Sequence, residues 1–234
     1  MEPYDLIVIG GGPAGYLGAQ RAAKKKKRVL LFEKNKLGGV CLNEGCIPTK
    51  TLLNSAKIYE HTKNGNSFGI LTENVLIDPT AIQKRKNRVI HMLVGGVKMT
   101  MKKHKVEVIY QQAKIKGKTD RGFLVEAEGE IYEARNLLIA AGSQPVIPPI
   151  KGGKEAMESG LAVTSRELLD FPQLPNKLVI VGAGVIGLEM AAYFAGMGTK
   201  VTVVEMLDKI AGTMDRKITK MLQKELEKKG IQFM

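Results

Sequence analysis

One pattern occurs twice in this chain of 234 residues: an apolar run, a glycine-rich turn, a helix-length segment, a second apolar run and an acidic residue. Residues 7–15 align without a gap with residues 179–187, and residues 29–33 then align with residues 201–205. In each copy the acidic residue stands 23 residues after the first glycine. Parallel strands need a long crossover connection of this kind, usually a helix. The repeat therefore predicts an α/β fold that contains two such units.

The three glycines of each turn meet different physical demands. The first permits the tight turn out of the strand, the second lets the backbone approach a pyrophosphate, and the third lets the helix lie close to the strand. Phosphate oxygens favour the helix N-terminus, and the acidic residue accepts hydrogen bonds from ribose hydroxyls. This is the opening of a Rossmann dinucleotide-binding unit. The predicted binding residues are Gly10, Gly12, Gly15 and Glu33 in the first copy, and Gly182, Gly184, Gly187 and Glu205 in the second.

The second copy is predicted to prefer NAD to NADP. Glu205 would repel a 2′-phosphate, and no arginine follows it closely in the sequence. Two dinucleotide sites in one chain suggest that one dinucleotide is a bound cofactor and the other a mobile substrate. That layout is typical of an oxidoreductase that uses FAD and NAD.

The remaining sequence predicts the elements around the two copies. Helices are predicted at 48–62 and 79–103, and adjacent glycines at 95 and 96 weaken the second. An antiparallel meander is predicted from four short strands, at 106–110, 113–118, 123–127 and 131–133. A buried strand is predicted at 137–142. Prolines and glycines between 145 and 153 mark a domain crossing. We predict two Rossmann-like domains, one at 1–148, which contains the meander, and one at 149–234.

The net charge of +13 invites a nucleic-acid interpretation, which the distribution of charge does not favour. Lysines are scattered along predicted helices, and the densest run, at residues 24–28, falls where a helix should end and complements its dipole. Two cysteines are too few for a disulfide-stapled secreted scaffold. No apolar stretch is long enough to span a bilayer, and no signal peptide precedes the first strand. We therefore expect a cytoplasmic protein with neither a nucleic-acid nor a membrane partner.

Both cysteines, Cys41 and Cys46, lie in a glycine-rich segment that leads into a predicted helix. A metal site needs about four ligands, and no histidine or further cysteine stands near, so no metal is predicted. Two buried structural thiols are an alternative. A redox-active disulfide fits better, because a helix N-terminus stabilises a thiolate and Lys50 adds a positive charge one turn further on.

The motif Cys-Leu-Asn-x-Gly-Cys-Ile-Pro-x-Lys at residues 41–50, taken with the two glycine turns, resembles the pyridine nucleotide–disulfide oxidoreductase family. The likeness runs from Tyr4 to the last residue. Glutathione and mercuric reductases usually carry valine where Leu42 and Ile47 stand, so the dihydrolipoamide dehydrogenase branch is favoured.

The resemblance implies a role for each motif residue. Cys46 matches the thiol that faces the flavin, and Cys41 matches the interchange thiol that reacts with the substrate. Lys50 matches the lysine near the flavin N5 edge, and Glu189 matches the acid that pairs with it beside the nicotinamide. Electrons are then expected to pass from dihydrolipoamide through the cysteine pair and FAD to NAD⁺. The implied catalytic residues are Cys41, Cys46, Lys50 and Glu189, and the implied flavin-binding residues are Gly10, Gly12, Gly15, Glu33, Gly39, Lys50 and Gly142.

The resemblance also implies partners: lipoyl domains of 2-oxo acid dehydrogenase complexes or of the glycine cleavage system, and a second copy in a homodimeric full-length enzyme. Family members are much longer and end in a domain whose His–Glu pair is the catalytic base, which this sequence lacks. We therefore expect an N-terminal fragment, with an FAD-binding domain at 1–148 and an NAD-binding domain at 149–234 whose C-terminal parts are missing. The alternatives are a reductase of the same family that acts on glutathione, coenzyme A disulfide or mercuric ion, and a catalytically incomplete nucleotide-binding fragment.

Overall fold

A computed structural model describes residues 2–234. The chain divides into two compact units, each built from two stretches of sequence. The first unit contains the chain as far as Ile47 together with Arg88–Gln144, and the second contains Pro48–Asn87 and Pro145–Met234. The division into domains after residue 148 stays a prediction.

The helices and strands follow in chain order: β1 Tyr4–Ile9, α1 Pro13–Lys24, β2 Val29–Phe32, α2 Gly39–Asn43, α3 Cys46–Lys63, a 3₁₀ turn Gly65–Phe68, α4 Pro79–Lys103, β3 Glu107–Ile109, β4 Lys114–Thr119, β5 Gly122–Ala127, β6 Glu130–Ile139, α5 Gly153–Glu158, α6 Ser165–Leu168, β7 Lys177–Val181, α7 Val185–Gly196, β8 Lys200–Val204, α8 Arg216–Lys228 and β9 Gln232–Phe233.

The first unit is built on a six-stranded sheet in the order β3-β2-β1-β6-β5-β4. Strands β3, β2, β1 and β6 run parallel, and β5 and β4 continue the sheet as an antiparallel meander. Central strand residues are buried on both faces: Ile7 and Leu30 belong to one apolar cluster, and Val8 and Leu31 to another. Both faces of a parallel sheet are normally covered in this way. The predicted α/β fold is confirmed.

Strand β6 differs from the sequence prediction. The predicted strands at 131–133 and 137–142 fall on one continuous strand, which ends at Ile139 and pairs antiparallel with β5 through its first half and parallel with β1 through its second. Residues 140–142 lie beyond the strand and Ile139 is 64% exposed, so the prediction of a buried strand at 137–142 is wrong in both length and burial. Polar residues at 133, 135 and 136 interrupt the apolar pattern. The hydrogen-bond ladder continues past them because backbone pairing does not require apolar side chains. The predicted strand at 106–110 lies outside the meander, since β3 pairs parallel with β2 at the sheet edge.

The second unit contains the parallel sheet β7-β8-β9. Its core includes Leu188 and Phe194 from α7 together with Leu52 and Ala56 from α3. A Cβ added to Gly196 would lie 3.3 Å from the Cβ of Ala56, which shows how closely α7 and α3 pack. Within the part of the chain that the structure describes, no helix is both long and apolar enough to cross a membrane.

A buried lysine fastens α4 to the segment that follows α6. Lys86 is 1% exposed; its ammonium group donates a hydrogen bond to the carbonyl of Leu169 at 2.8 Å and pairs with the carboxylate of Asp170. The side-chain amide of Gln83 donates to the carbonyls of Leu169 and Phe171 at 3.2 and 3.1 Å. These bonds satisfy a charge that would be costly to bury alone.

Helix α4 continues without a break through the two glycines at which the sequence predicts a weak point. Replacing Gly96 with alanine is therefore expected to raise the free energy of unfolding by about 0.5–1 kcal/mol, because glycine loses more backbone entropy on folding. A Cβ at Gly96 would have no heavy atom of the described chain within 4 Å. Urea denaturation of both proteins measures the difference.

The control is Gly15→Ala, which should destabilise the protein because the new Cβ would lie 1.7 Å from the carbonyl oxygen of Gly10. A loss of stability in Gly96→Ala as well would mean that this part of α4 is not a regular, uncrowded helix.

Candidate functional site

The first and third glycines of both turns are required by the fold itself. Gly10 and Gly182 share a φ of +103°, a conformation that favours glycine. A Cβ on Gly15 would lie 1.7 Å from the carbonyl oxygen of Gly10, and a Cβ on Gly187 would lie 2.2 Å from that of Gly182. Each helix can therefore approach its strand only because the third position lacks a side chain.

The middle glycines, unlike the first and third, have space around them for a side chain. A Cβ on Gly12 would come no closer than 3.8 Å to a neighbour, the Cα of Gly39, and a Cβ on Gly184 would meet nothing within 4 Å among the described residues. This open space lies directly before helices α1 and α7, whose first N–H groups favour an anion. A dinucleotide pyrophosphate can occupy this open space, here called the cradle, and a side chain at either middle glycine would fill it. These residues therefore fit the predicted cofactors.

The first acidic residue, Glu33, accepts backbone hydrogen bonds that hold its own glycine turn in place, an arrangement here called the brace. Glu33 is buried, with 8% of its surface exposed. One carboxylate oxygen accepts a hydrogen bond from the N–H of Gly11 at 2.7 Å, and the other accepts from the N–H of Asn35 at 2.7 Å. An ionised carboxylate has about four acceptor positions, so two remain for ribose hydroxyls. Sequence reasoning predicted the ribose contact and missed the brace.

The second copy repeats this brace. The Glu205 carboxylate accepts hydrogen bonds from the N–H of Ala183 at 2.7 Å and from the N–H of Leu207 at 3.0 Å. The bonds from Leu207 and Ala183 hold the pKa of the Glu205 carboxyl below its usual value of 4.5. The gap-free alignment of the two copies is the sequence signal from which an equivalent brace can be inferred.

The segment that carries the cysteines is fastened to the first glycine turn. The N–H of Gly38 donates to the carbonyl of Gly11 at 2.8 Å. Gly39 has a φ of +56°, and a Cβ there would lie 2.6 Å from the Cα of Gly12. Glycine at 39 is therefore needed for the close approach of two backbone segments. The predicted flavin-binding residues Gly12 and Gly39 are brought together.

The two cysteines occupy neighbouring short structures. Cys41 is partly buried within α2, and Cys46 is exposed and is the first residue of α3. The side-chain amide of Asn43 donates to the carbonyls of Leu37 and Gly39 at 3.1 and 2.9 Å and so holds the α2 turn. Cys46 thus lies at the N-terminus of α3, five residues after Cys41 in sequence.

Lys50 and Glu189 form an ion pair within the second unit. The Lys50 ammonium donates to a Glu189 carboxylate oxygen at 2.9 Å, and the side chains are 61% and 29% exposed. The packing of α3 on α7 brings them together. Because exposed pairs contribute little to stability, this one is not required for folding.

Gly142 follows β6 and has a φ of +74°. A Cβ there would meet nothing within 4 Å in the described chain, so its φ, rather than crowding, favours glycine. Among residues 2–234, no group of three or more His, Cys, Asp and Glu side chains could hold a metal ion.

Comparison with known proteins supplies a family and relatives. The family model "Pyridine nucleotide-disulphide oxidoreductase" matches residues 4–234. The dihydrolipoyl dehydrogenase of Acholeplasma laidlawii is 44% identical over 234 residues, which are 100% of this chain and 68% of that protein. The dihydrolipoyl dehydrogenase of Bacillus subtilis (strain 168) is 41% identical over 231 residues, 97% of this chain and 49% of that protein. The chain thus spans about half to two thirds of the length of these relatives.

A solved structure supports the fold of the whole chain. The HOCl-induced flavoprotein disulfide reductase RclA of Escherichia coli, solved as a Cu(II) complex, superimposes with a TM-score of 0.81 at 29% sequence identity. The match covers 98% of this chain and 48% of that protein.

The brace at Glu205 has a testable pH dependence. Glu205→Gln is expected to lower the free energy of unfolding at pH 7 by about 1 kcal/mol, at the low end for charged hydrogen bonds because the site is partly solvated. The pKa of Glu205 is lowered in the folded state, so its contribution is complete above pH 4.5 and is lost as the pH falls through the folded value. The difference between the two proteins should therefore shrink below pH 4.5.

Urea denaturation at several values between about pH 3 and 7 measures this difference. Glu73→Gln, at an exposed loop position, is the control and should change stability little at any pH. A Glu205→Gln difference that persists unchanged at the lowest pH would show that the brace does not depend on an ionised carboxylate.

Proposed function

The chain belongs to the pyridine nucleotide-disulphide oxidoreductase family, and from that premise we propose that it is the part of a dihydrolipoyl dehydrogenase that binds FAD and NAD and carries the redox-active cysteines. The observation that supports this most is the contact of Gly39 with Gly12, because it fastens the cysteine segment to the dinucleotide cradle of the same unit. The identity of 44% to a dihydrolipoyl dehydrogenase extends over the whole chain.

Each cradle holds one dinucleotide in this proposal. The turn of Gly10, Gly12 and Gly15 takes the FAD pyrophosphate, and the two remaining acceptor positions of Glu33 take the ribose hydroxyls. The corresponding residues of the second copy hold NAD, and the negative charge of Glu205 disfavours a 2′-phosphate. The chemistry that FAD supplies when bound is the acceptance of an electron pair from the reduced cysteines and its delivery to NAD⁺.

The cysteine pair exchanges its disulfide with the substrate dithiol. A thiolate of dihydrolipoamide attacks Cys41 in the oxidised pair, and the bond between the two cysteine sulfurs breaks as a mixed disulfide forms. Cys46 leaves as a thiolate, which the N-terminus of α3 stabilises. The second substrate thiol then attacks the mixed disulfide and releases lipoamide. In this second attack the bond between the substrate sulfur and Cys41 breaks, and Cys41 leaves. Overall, the substrate loses two electrons and two protons; the cysteine pair gains the electrons, and the protons pass to the reduced pair or to solvent.

Lys50 and Glu189 take a part in electron transfer rather than in folding. An ammonium group paired with a carboxylate is a fixed dipole that can stabilise charge developing on neighbouring groups. The partners in this proposal are lipoyl domains of 2-oxo acid dehydrogenase complexes or of the glycine cleavage system. We further propose a homodimer for the full-length enzyme and a cytoplasmic location.

A second candidate is another disulfide reductase of the same family, which the likeness to RclA keeps open. Comparing NADH formation with dihydrolipoamide, glutathione and reduced coenzyme A distinguishes the two. A third candidate is a nucleotide-binding chain without turnover of its own, which any measurable NAD⁺ reduction by the 234-residue protein would contradict.

The two cysteines should differ in a visible absorption scan of the FAD-reconstituted protein. Anaerobic dithiothreitol is expected to produce a broad long-wavelength band in the wild type, because reduction leaves a thiolate at Cys46 against the flavin. Cys46→Ser should lack this band. Cys41→Ser should show it before any reductant is added, because Cys46 then has no partner for a disulfide.

Flavin retention in all three proteins is the control for folding. A band that survives in Cys46→Ser and disappears in Cys41→Ser would reverse the two roles. A protein that retains no FAD would contradict the proposed flavin site in this chain.

The ion pair should matter for electron transfer and hardly at all for stability. Lys50→Met is expected to change the free energy of unfolding by less than about 1 kcal/mol, because the pair is largely exposed. It should slow flavin reduction by NADH about tenfold or more, which stopped-flow absorbance measures. Lys57→Met, at an exposed position on the same helix, should leave both quantities unchanged. Equal rates in the two variants would exclude Lys50 from the reaction.

A further inference from the structure

Two exposed lysine-rich loops lie side by side in the first unit. One begins at the last residue of α1 and carries lysines at 24–27, and the other begins at the end of α4 and carries lysines at 102, 103 and 105. These loops lead into β2 and β3, which pair in parallel with Leu30 opposite Glu107. The seven exposed lysines, here called the amino-edge basic surface, therefore gather at the edge where the parallel strands begin.

The backbone at two of these lysines is unusual. Lys26 and Lys105 have φ values of 60° and 55°, a left-handed conformation that disfavours residues with a side chain. Two other helices end in the same way, and there the chain uses Gly198 and Gly230, with φ values of 97° and 83°. The left-handed position at the helix end is therefore glycine in the two cases in the second unit. It is lysine in the two cases in the first unit, and both lysines lie at one surface.

The four helix ends share one hydrogen-bond pattern. In each, the N–H that follows the left-handed residue donates to a carbonyl five residues earlier, which is the Schellman motif. The bonds are Lys27 to Ala22 at 3.3 Å, Val106 to Met101 at 3.0 Å, Thr199 to Phe194 at 3.0 Å and Ile231 to Leu226 at 3.2 Å. Because the pattern is the same, the local structure does not explain the use of lysine. The charge of the side chain is what distinguishes the first unit.

The neighbouring carboxylates leave most of this charge uncompensated. Asp5 accepts a hydrogen bond from the N–H of Arg28 and lies 3.6 Å from the Lys27 ammonium, and Glu107 accepts from the Tyr4 hydroxyl at 2.7 Å. The Arg28 guanidinium lies 4.2 Å over the Tyr4 ring and donates to the carbonyl of Glu2. These contacts involve two carboxylates, Asp5 and Glu107, beside the seven lysines.

We propose that the amino-edge basic surface docks the acidic face of a partner protein, a domain whose contact residues are mainly Asp and Glu. Lysine ammonium groups are hydrated point charges that attract a carboxylate-rich surface over a long range, whereas phosphate and base recognition favour the planar fork of arginine. The Arg28 guanidinium is held against the Tyr4 ring, and that ring is itself buried, so it offers no stacking platform for bases.

The surface lies away from the dinucleotide cradle of the same unit. Gly10 follows the carboxyl end of β1, and the lysine loops lie at the edge where the parallel strands begin. A strand of six residues separates these edges by about 20 Å. A docked partner therefore leaves the cradle open, and this proposal does not depend on the identity of the substrate.

Binding of fluorescent poly-L-glutamate at low ionic strength tests the charge recognition. Lys26→Gln/Lys105→Gln is expected to weaken binding about tenfold, because charge pairs at an interface edge mainly govern steering and affinity at low salt. The matched control, Lys220→Gln/Lys224→Gln, removes the same charge from exposed positions on α8 and should weaken binding less than about twofold. Equal losses of affinity in the two variants would show that binding depends only on the net charge of the protein, which would overturn the proposal.

Duplex DNA and vesicles containing phosphatidylglycerol are the comparison ligands. Their binding should fall equally in both paired variants. If either ligand, and not polyglutamate, loses affinity selectively in the loop variant, the surface recognises phosphate and the proposal is wrong.

The backbone observation has a test of its own. Lys26→Gly/Lys105→Gly should weaken polyglutamate binding as the glutamine variant does, yet raise Tm by about 2–4 °C, since glycine relieves the left-handed positions. A lower Tm would show that lysine is not disfavoured there and would remove the reason for assigning these two residues to binding.

Discussion

The closest backbone contact in each glycine turn determines where the candidate site can form. The third glycine lies so near the carbonyl of the first that any side chain would overlap it, in both copies. This approach aims the helix N-terminus at the end of the strand and leaves space around the middle glycine. The anion-binding property thus follows from a packing requirement, because the N–H groups that would receive phosphate are the ones that helix geometry leaves unpaired.

The acidic residues extend this constraint to the next strand. Glu33 and Glu205 each accept backbone hydrogen bonds from the turn and from the loop after the second strand. Without such acceptors, the N–H groups of these two loops would have to find water or remain unsatisfied. One carboxylate therefore stabilises the loops and still offers acceptor positions to a ribose. The atoms that tighten the loops are therefore the same atoms that we propose to select the nucleotide.

The sequence predicted those features whose causes are local. The spacing of glycines and acids is local, and both turns form as predicted. The continuity of β6 depends on pairing with two different strands, which no apolar pattern within residues 130–139 reveals. The helical pattern after Cys46 predicted a helix, but not that Leu52 and Ala56 would join the core of the second unit. That choice depends on surfaces far away in sequence.

The lysine-rich helix ends show why composition alone could not separate two roles of charge. A cation in the last turn of a helix complements the dipole, which accounts for Lys24 and Lys103 without any partner. The dipole makes no such demand at the left-handed residue beyond the cap, where the backbone conformation favours glycine. Lys26 and Lys105 stand there against that preference. In sequence, all four are simply lysines near a helix end, and only their φ angles separate the lysines explained by the helix from those that point to a partner.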